Sequence, residues 1–151
     1  MQYSYRGYDG VSDYEKIGAF LVRTFGTDGV HVNWLQPRWE YMHFHPLIRG
    51  VDLRTIGIWE VGGEIVGVVH PEHGKGTVYL QIDPGYHALK GEMLGFAEEY
   101  HWKESEVVRR VEVYINERDV GFQELASERG YARSEDQEPM SCLAVSSSCP
   151  E

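Results

Sequence analysis

The chain has 151 residues, of which 42% are hydrophobic and 25% charged, and this fits one ordinary globular domain able to bury roughly 70% of its unfolded surface. With 24 acidic residues against 14 basic ones the formal net charge is −10, which argues against nucleic acid and anionic membranes as partners, since both demand clustered Lys and Arg. No apolar run reaches the roughly 18 residues of a membrane span, and the N-terminus lacks a signal-peptide pattern, so the cytoplasm is the expected location.

In chain order, Gln2 to Tyr8 alternates aromatic and polar residues and predicts a first strand, with Asp9 and Gly10 turning out of it. Ser12-Asp13-Tyr14-Glu15 matches a capping box, in which hydroxyl and carboxylate satisfy each other's backbone donors. Tyr14, Ile17, Leu21, Val22 and Phe25 then supply the apolar face of a first helix that Gly26 closes. Asn33 to Pro46 is the densest aromatic stretch. Pro37 suits a first helical turn and Pro46 makes His45 a terminus, so a short second helix is predicted. Its aromatic and His side chains exceed what one buried face needs, so Trp34, Trp39, Tyr41 and His43 are expected to line a substrate or partner groove.

Arg54 to Val61 and Glu64 to His70 read as strands joined by Gly62-Gly63, the pair for a two-residue primed turn. A polar hinge from His70 to Gly76 leads to the strand Thr77 to Ile82, ended by Asp83-Pro84-Gly85. Leu89, Met93, Phe96, Ala97 and Tyr100 recur at helical spacing, with Lys90, Glu92, Glu98 and Glu99 outside the stripe. Strand, turn and helix in that order can present backbone N–H groups to a phosphate. A charged loop from His101 to Val107 precedes a strand over Arg110 to Ile115. A fourth helix starts within Asn116 to Asp119, turns Phe122, Leu125 and Ala126 inward and ends at Gly130. Closing strands are expected at Tyr131 to Arg133 and Ser141 to Val145, around an acidic loop through Glu135 and Glu138. Residues 1–145 then form one domain, and 146–151, with Ser146, Ser147, Ser148 and Pro150, a flexible tail.

Leu80-x-Ile82-x-Pro84-x-Tyr86, at the end of the fourth strand, resembles the corresponding segment of the GNAT acyltransferases, and the order of elements resembles a complete GNAT domain. The resemblance implies an α/β (α+β) fold, a mixed and mostly antiparallel central sheet flanked by about four helices. It also implies acetyl-CoA as cofactor, with Leu80, Gln81, Ile82, His87 and Asn116 in its site. The family continues with Arg or Gln, two residues, Gly, one residue, then Gly or Ala, so that bare backbone wraps the pyrophosphate. Here those positions are His87, Lys90 and Glu92, and the position of the family's Leu-Tyr-x-x-x-Gly-Phe tyrosine is Ala126. The resemblance is to the N-terminal half of tandem-domain members, in which one half can be degenerate.

Transfer of an acetyl group needs a neutral amine, a nearby base and a donor for the thioester oxygen. Glu40, His43 and Glu72 are the candidate bases, and His87 can bind an anion when protonated. Seven histidines invite a metal reading, but His43 and His45 on one helix point to different faces and no spacing collects three ligands, so no metal is expected. Cys142 and Cys149 lack metal spacing and are expected as thiols, and neither Ser127 nor Cys142 has a base beside it in sequence. Two functions follow. One is an acetyl-CoA-dependent N-acetyltransferase acting on a small-molecule amine with an altered phosphate loop. The other is a noncatalytic GNAT-like module that binds a small molecule, pairs with a second GNAT domain or forms a homodimer.

Overall fold

The computed structural model describes residues 2–26, 33–46, 51–72, 74, 76–104, 109–134 and 142–149. Its strands are β1 (Ser4–Gly7), β2 (Gly57–Val61), β3 (Glu64–His70), β4 (Thr77–Ile82), β5 (Lys103–Glu104), β6 (Arg109–Asn116), β7 (Ala132–Arg133) and β8 (Cys142–Cys149). Its α-helices are α1 (Gly10–Thr24), α2 (Gln36–Phe44), α3 (Lys90–Tyr100) and α4 (Val120–Glu128). The strands form one sheet in the order β1-β2-β3-β4-β6-β8-β7, with β5 pairing β6 beside that path. Pairing is antiparallel throughout except between β4 and β6. The mixed, mostly antiparallel sheet with helices on it is the architecture the sequence predicts.

Each face of the sheet carries its own core. Alternation sends Val78, Leu80 and Ile82 of β4 and Val111, Val113 and Ile115 of β6 toward α3 and α4, where they meet Met93, Leu94, Phe122 and Ala126. On the other face Ile58, Ile65 and Val68 pack against Ile17, Phe20 and Leu21 of α1 and Trp39 and Met42 of α2. Gly57 belongs to this construction, because a Cβ there would lie 2.8 Å from the Phe96 ring. Gly62 and Gly63 both take positive φ, 60° and 84°, as the primed β2–β3 turn requires.

Several local expectations give way to tertiary partners. The capping box at Ser12 does not form. The helix starts at Gly10 with Asp9 at the N-cap, and Ser12 lies inside it. The Asp13 carboxylate instead accepts the Asp9 amide at 2.5 Å and both terminal nitrogens of Arg6 at 2.7 and 2.8 Å. Arg6 also donates to Glu60, so one guanidinium ties α1 to β1 and β2. The buried face of α1 is Asp13, Ile17, Phe20, Leu21 and Thr24, a 3.6-residue stripe, while Val22 and Phe25 are exposed. The strand expected from Arg54 starts only at Gly57, behind a 3-10 turn over Leu53–Thr55 that Asp52 caps. Between β4 and α3 the chain forms a 3-10 turn, Pro84–Leu89.

The serine run is not a tail. β8 continues through Ser146, Ser147 and Ser148 to Cys149, each paired with β6, because β6 is eight residues long and offers that many partners. The short strand β5 within the charged loop was not evident from its composition. His73, the acidic loop through Glu135 and Glu138, and the side chains of Cys142 and Cys149 lie outside the described residues.

The Arg6 hydrogen bonds hold the Asp13 carboxyl below the ordinary carboxylate range although burial opposes this. A depressed folded pKa means that the pair stabilises the protein above about pH 4, and that this is lost as pH falls through the folded value. Arg6→Ala leaves a buried carboxylate without its cation and should cost about 2–3 kcal/mol at pH 7, or roughly 5–10 °C in midpoint. Thermal denaturation followed by circular dichroism checks this, and an unchanged midpoint contradicts it.

Candidate functional site

β4 and β6 run parallel and pair only at Thr77↔Glu112 and Val78↔Val113. Beyond Val78 the strands part. Asp83 donates its amide to Val66 of β3, so alternation turns the amide and carbonyl of Leu80 and of Ile82 away from β3, toward the gap. At Ile82 the gap is filled from outside the sheet: the Asn33 carboxamide accepts the Ile82 amide and donates to its carbonyl, both at 2.8 Å. Asn33 also reaches Thr24 Oγ1 at 3.0 Å, which fixes it to the end of α1. Leu80 has no such substitute partner in the register, and its backbone groups face a cleft of about 280 Å³.

Residues from both faces of the sheet line the cleft. On the α1/α2 face its wall includes Trp34, Arg38, Tyr79 and Tyr114, and on the α3/α4 face Lys90, Asp119 and Phe122. Tyr79 and Tyr114 stack in parallel with ring centroids 4.9 Å apart, at the point where the strands separate. Arg38 lies 4.1 Å over the Trp34 ring and grips Glu72 through two bonds of 2.9 and 2.6 Å. The Tyr79 hydroxyl also donates to Glu72, at 3.0 Å, and burial together with that carboxylate raises its pKa well above the usual phenol value. Behind this wall Gln81 accepts the Trp34 amide at 2.7 Å and donates to His70 Nε2 at 3.0 Å, while His70 Nδ1 donates to the Pro71 carbonyl. Both ring nitrogens are thus used with the imidazole neutral, and full burial pushes its pKa down to about 3.

On the opposite face the Lys90 ammonium bonds to Asp119 Oδ2 at 2.5 Å and lies 5.0 Å from the Phe122 ring centroid. Asp119 Oδ1 meanwhile accepts the Phe122 amide and caps α4. One carboxylate therefore both starts α4 and holds the first residue of α3.

No family model matches the chain, and no curated protein matches it in sequence. Solved structures do. The acetyltransferase of the GNAT family from Streptococcus pneumoniae superposes with a TM-score of 0.63 at 14% identity, over 98% of this chain and 100% of that one. The GNAT acetyltransferase from Staphylococcus aureus gives 0.65 at 14% identity, over 97% and 99%. The PaiA N-acetyltransferase from Thermoplasma acidophilum, solved in complex with coenzyme A, gives 0.60 at 12% identity, over 99% and 100%. The fold is that of the GNAT acetyltransferases.

Against this GNAT frame the expected site residues fall into two groups. Leu80, Gln81, Ile82 and Asn116 line the cleft, as does Trp34. The others stand apart from it. Trp39 is fully buried in the α1/α2 core with its indole N–H on the Tyr14 carbonyl at 3.1 Å. Tyr41 is exposed on the outer side of α2, stacked on His45. His43 is half-buried between Tyr14 and Trp39, donates Nδ1 to the Trp39 carbonyl at 2.9 Å, and burial lowers its pKa. The four groove aromatics therefore do not share a wall, because α2 turns Trp39 into the core and Tyr41 to solvent.

Of the candidate bases, Glu40 is exposed and bonded to Gln36, and Glu72 reaches the cleft through the Tyr79 hydroxyl. His87 is exposed on the 3-10 turn. Asn116 accepts the Arg118 amide two residues on, and Asp119 is the cap of α4. Glu92 turns away from the cleft, taking Trp59 Nε1 at 2.8 Å and the Tyr3 hydroxyl. Lys90, read from its spacing as outside the apolar stripe, is buried at the cleft. Sequence reasoning missed Arg38, Asn33 and Asp119. A lone polar residue has no periodicity to betray its tertiary partner. Among the described residues no three His, Cys, Asp or Glu side chains converge as a metal set, and no helix is long and apolar enough to cross a membrane.

Two predictions follow from this geometry. Asn33→Ala strips the Ile82 amide and carbonyl of partners and should cost about 2 kcal/mol in urea unfolding, with faster hydrogen exchange at Ile82. Equal stability and equal exchange would show that the carboxamide does not hold the strand end. His70, with a folded pKa below its unfolded value near 6.5, stabilises the protein fully above about pH 6.5. Stability should then fall by up to about 1.4 kcal/mol per pH unit between pH 6 and 4, and His70→Gln should flatten that slope. Parallel pH profiles for the two proteins contradict the assignment.

Proposed function

We propose that the cleft between β4 and β6 is an acyl-CoA site and that the protein transfers an acetyl group from the thioester to a small-molecule amine. The observation that carries this is the parting of β4 from β6 after Val78, which leaves the Leu80 backbone facing a cleft lined by residues of both faces of the sheet. The strand edge fits an amide-bearing arm such as pantetheine. At the phosphate end the fit is different in kind. The amides of Gly85, Tyr86 and Lys90 are already bonded, to Asp83 Oδ1, the Asp83 carbonyl and the His87 carbonyl. The Lys90 ammonium is the cation there.

Acetyl-CoA, when bound, supplies the activated acyl group. The Leu80 amide would be the donor for the negative charge that develops on the acyl oxygen. The amine approaches from the α1/α2 face, along Trp34, Arg38 and Tyr79. Glu72, ion-paired with Arg38, is the carboxylate that can draw the amine's proton through the Tyr79 hydroxyl. The bound thioester would supply the acyl carbon to the amine and a thiol leaving group, for which a proton must be delivered to the sulfur. Ala126, at the position of the family's tyrosine, is buried in the α3/α4 core, and Tyr114 in the cleft wall would be the phenol to supply that proton.

One observation favours the second reading, a noncatalytic module that binds a small molecule or pairs with another domain. The Lys90–Asp119 pair already occupies the cleft end where the phosphates would lie. Thermal unfolding with and without acetyl-CoA separates the two. Ligand at about 100 times its dissociation constant should stabilise by roughly 2.7 kcal/mol, on the order of 5–10 °C. No shift at millimolar cofactor retires the transferase and leaves the module.

A further inference from the structure

Lys90 is an unusual residue for its place. Its side chain is more than nine-tenths buried, yet it lines an open cleft rather than a sealed core. An ammonium carries three N–H donors. Asp119 Oδ2 takes one, and among the described residues no acceptor meets the other two. The Phe122 ring face at 5.0 Å offers the cation electrostatic company but no hydrogen bond. An ammonium in the wall of an open cleft, with two donors beyond the one its carboxylate takes, can receive an anion from the cleft side. Asp119 does not have to move to admit one, because its other oxygen remains on the Phe122 amide as the α4 cap. Of the backbone amides around Lys90, those of Gly85, Tyr86 and Lys90 itself are spent within the 3-10 turn, which leaves fewer backbone donors to share the role.

We propose that Lys90 is the phosphate-binding group of this cleft, and that Asp119 is an internal competitor which a ligand's phosphate displaces from the ammonium. This deepens the acyl-CoA reading and rests on it. Where the family relies on a helix start stripped of side chains, this chain would use one point charge, held by its own carboxylate until an anion arrives. Recognition then depends on charge more than on backbone shape, so binding weakens with salt. Asp119 lowers affinity for every anion and lets only a multiply charged phosphate ester win.

Isothermal titration of coenzyme A into the wild type, Asp119→Asn, Lys90→Gly and the Lys90→Gly/Asp119→Asn double variant tests this without any activity readout. Asn keeps an N-cap acceptor while removing the competing charge, so Asp119→Asn should bind about tenfold more tightly than wild type. Adding Lys90→Gly to it should lose about tenfold or more, with the repulsion of Asp119 absent from both sides of that comparison. If glycine at position 90 instead tightens binding, or leaves it unchanged, the phosphate is held by backbone and the role of Lys90 is overturned while the acyl-CoA site stands. If neither wild type nor Asp119→Asn binds, both readings fail. Lys90→Gln, which keeps a helix-favouring side chain, replaces Lys90→Gly should the glycine variants lose their far-ultraviolet dichroism.

Discussion

The structure depends on one short parallel pairing. β4 and β6 share only the registers at Thr77 and Val78, and everything that distinguishes this sheet from a closed antiparallel one follows from where that pairing stops. A strand that loses its neighbour presents backbone donors and acceptors that must be satisfied or left to a ligand. The chain does both. At Ile82 it inserts the Asn33 carboxamide as a substitute for the missing strand, and at Leu80 it leaves the groups facing a cleft. The stacked Tyr79 and Tyr114 rings mark the point of divergence, filling the α1/α2 side where two strands at full pairing distance would otherwise continue.

Around that opening the polar groups form two closed systems on opposite faces. On one, Arg38 joins α2 to Glu72 after β3 and takes Tyr79 with it, while His70 and Gln81 make a neutral chain behind. On the other, Lys90 and Asp119 join the starts of α3 and α4, and Arg129 to Glu98 joins the same helices further along. Each charge near the cleft is thus held by an opposite charge from a different element. The arrangement fixes helix positions against the sheet and keeps the cleft walls in register. It also means that a charged ligand meets side chains that each already hold an opposite charge.

The legible parts of the sequence were those where local pattern and tertiary need agree. β3 and β4 occupy the spans their alternation predicts, the Gly62-Gly63 pair makes the turn its composition predicts, and Pro37 stands in the first turn of α2. The illegible parts were decided by partners distant in the chain. Ser12 could cap a helix, but Arg6 and the Asp9 amide draw Asp13 into that region and the helix begins earlier. A serine run with no apolar signal becomes a strand because β6 needs a neighbour. Lys90 and Glu92 are two residues apart and equally polar, yet one turns to Asp119 across the cleft and the other to Trp59, a separation that helical spacing permits and composition cannot assign. The aromatic wealth of 34–44 likewise divides among core, surface and cleft, because α2 turns Trp39 inward and Tyr41 to solvent while Trp34, ahead of the helix, reaches the cleft.

The most direct test of the opened strand as the ligand site is a nitrogen-15 correlation spectrum of the protein titrated with acetyl-CoA. The account predicts that the Leu80 amide moves most, with Lys90 and Asn116 following and Ile82, already bonded to Asn33, moving little. Perturbations confined to other surfaces, or a spectrum unchanged at millimolar ligand, would contradict it.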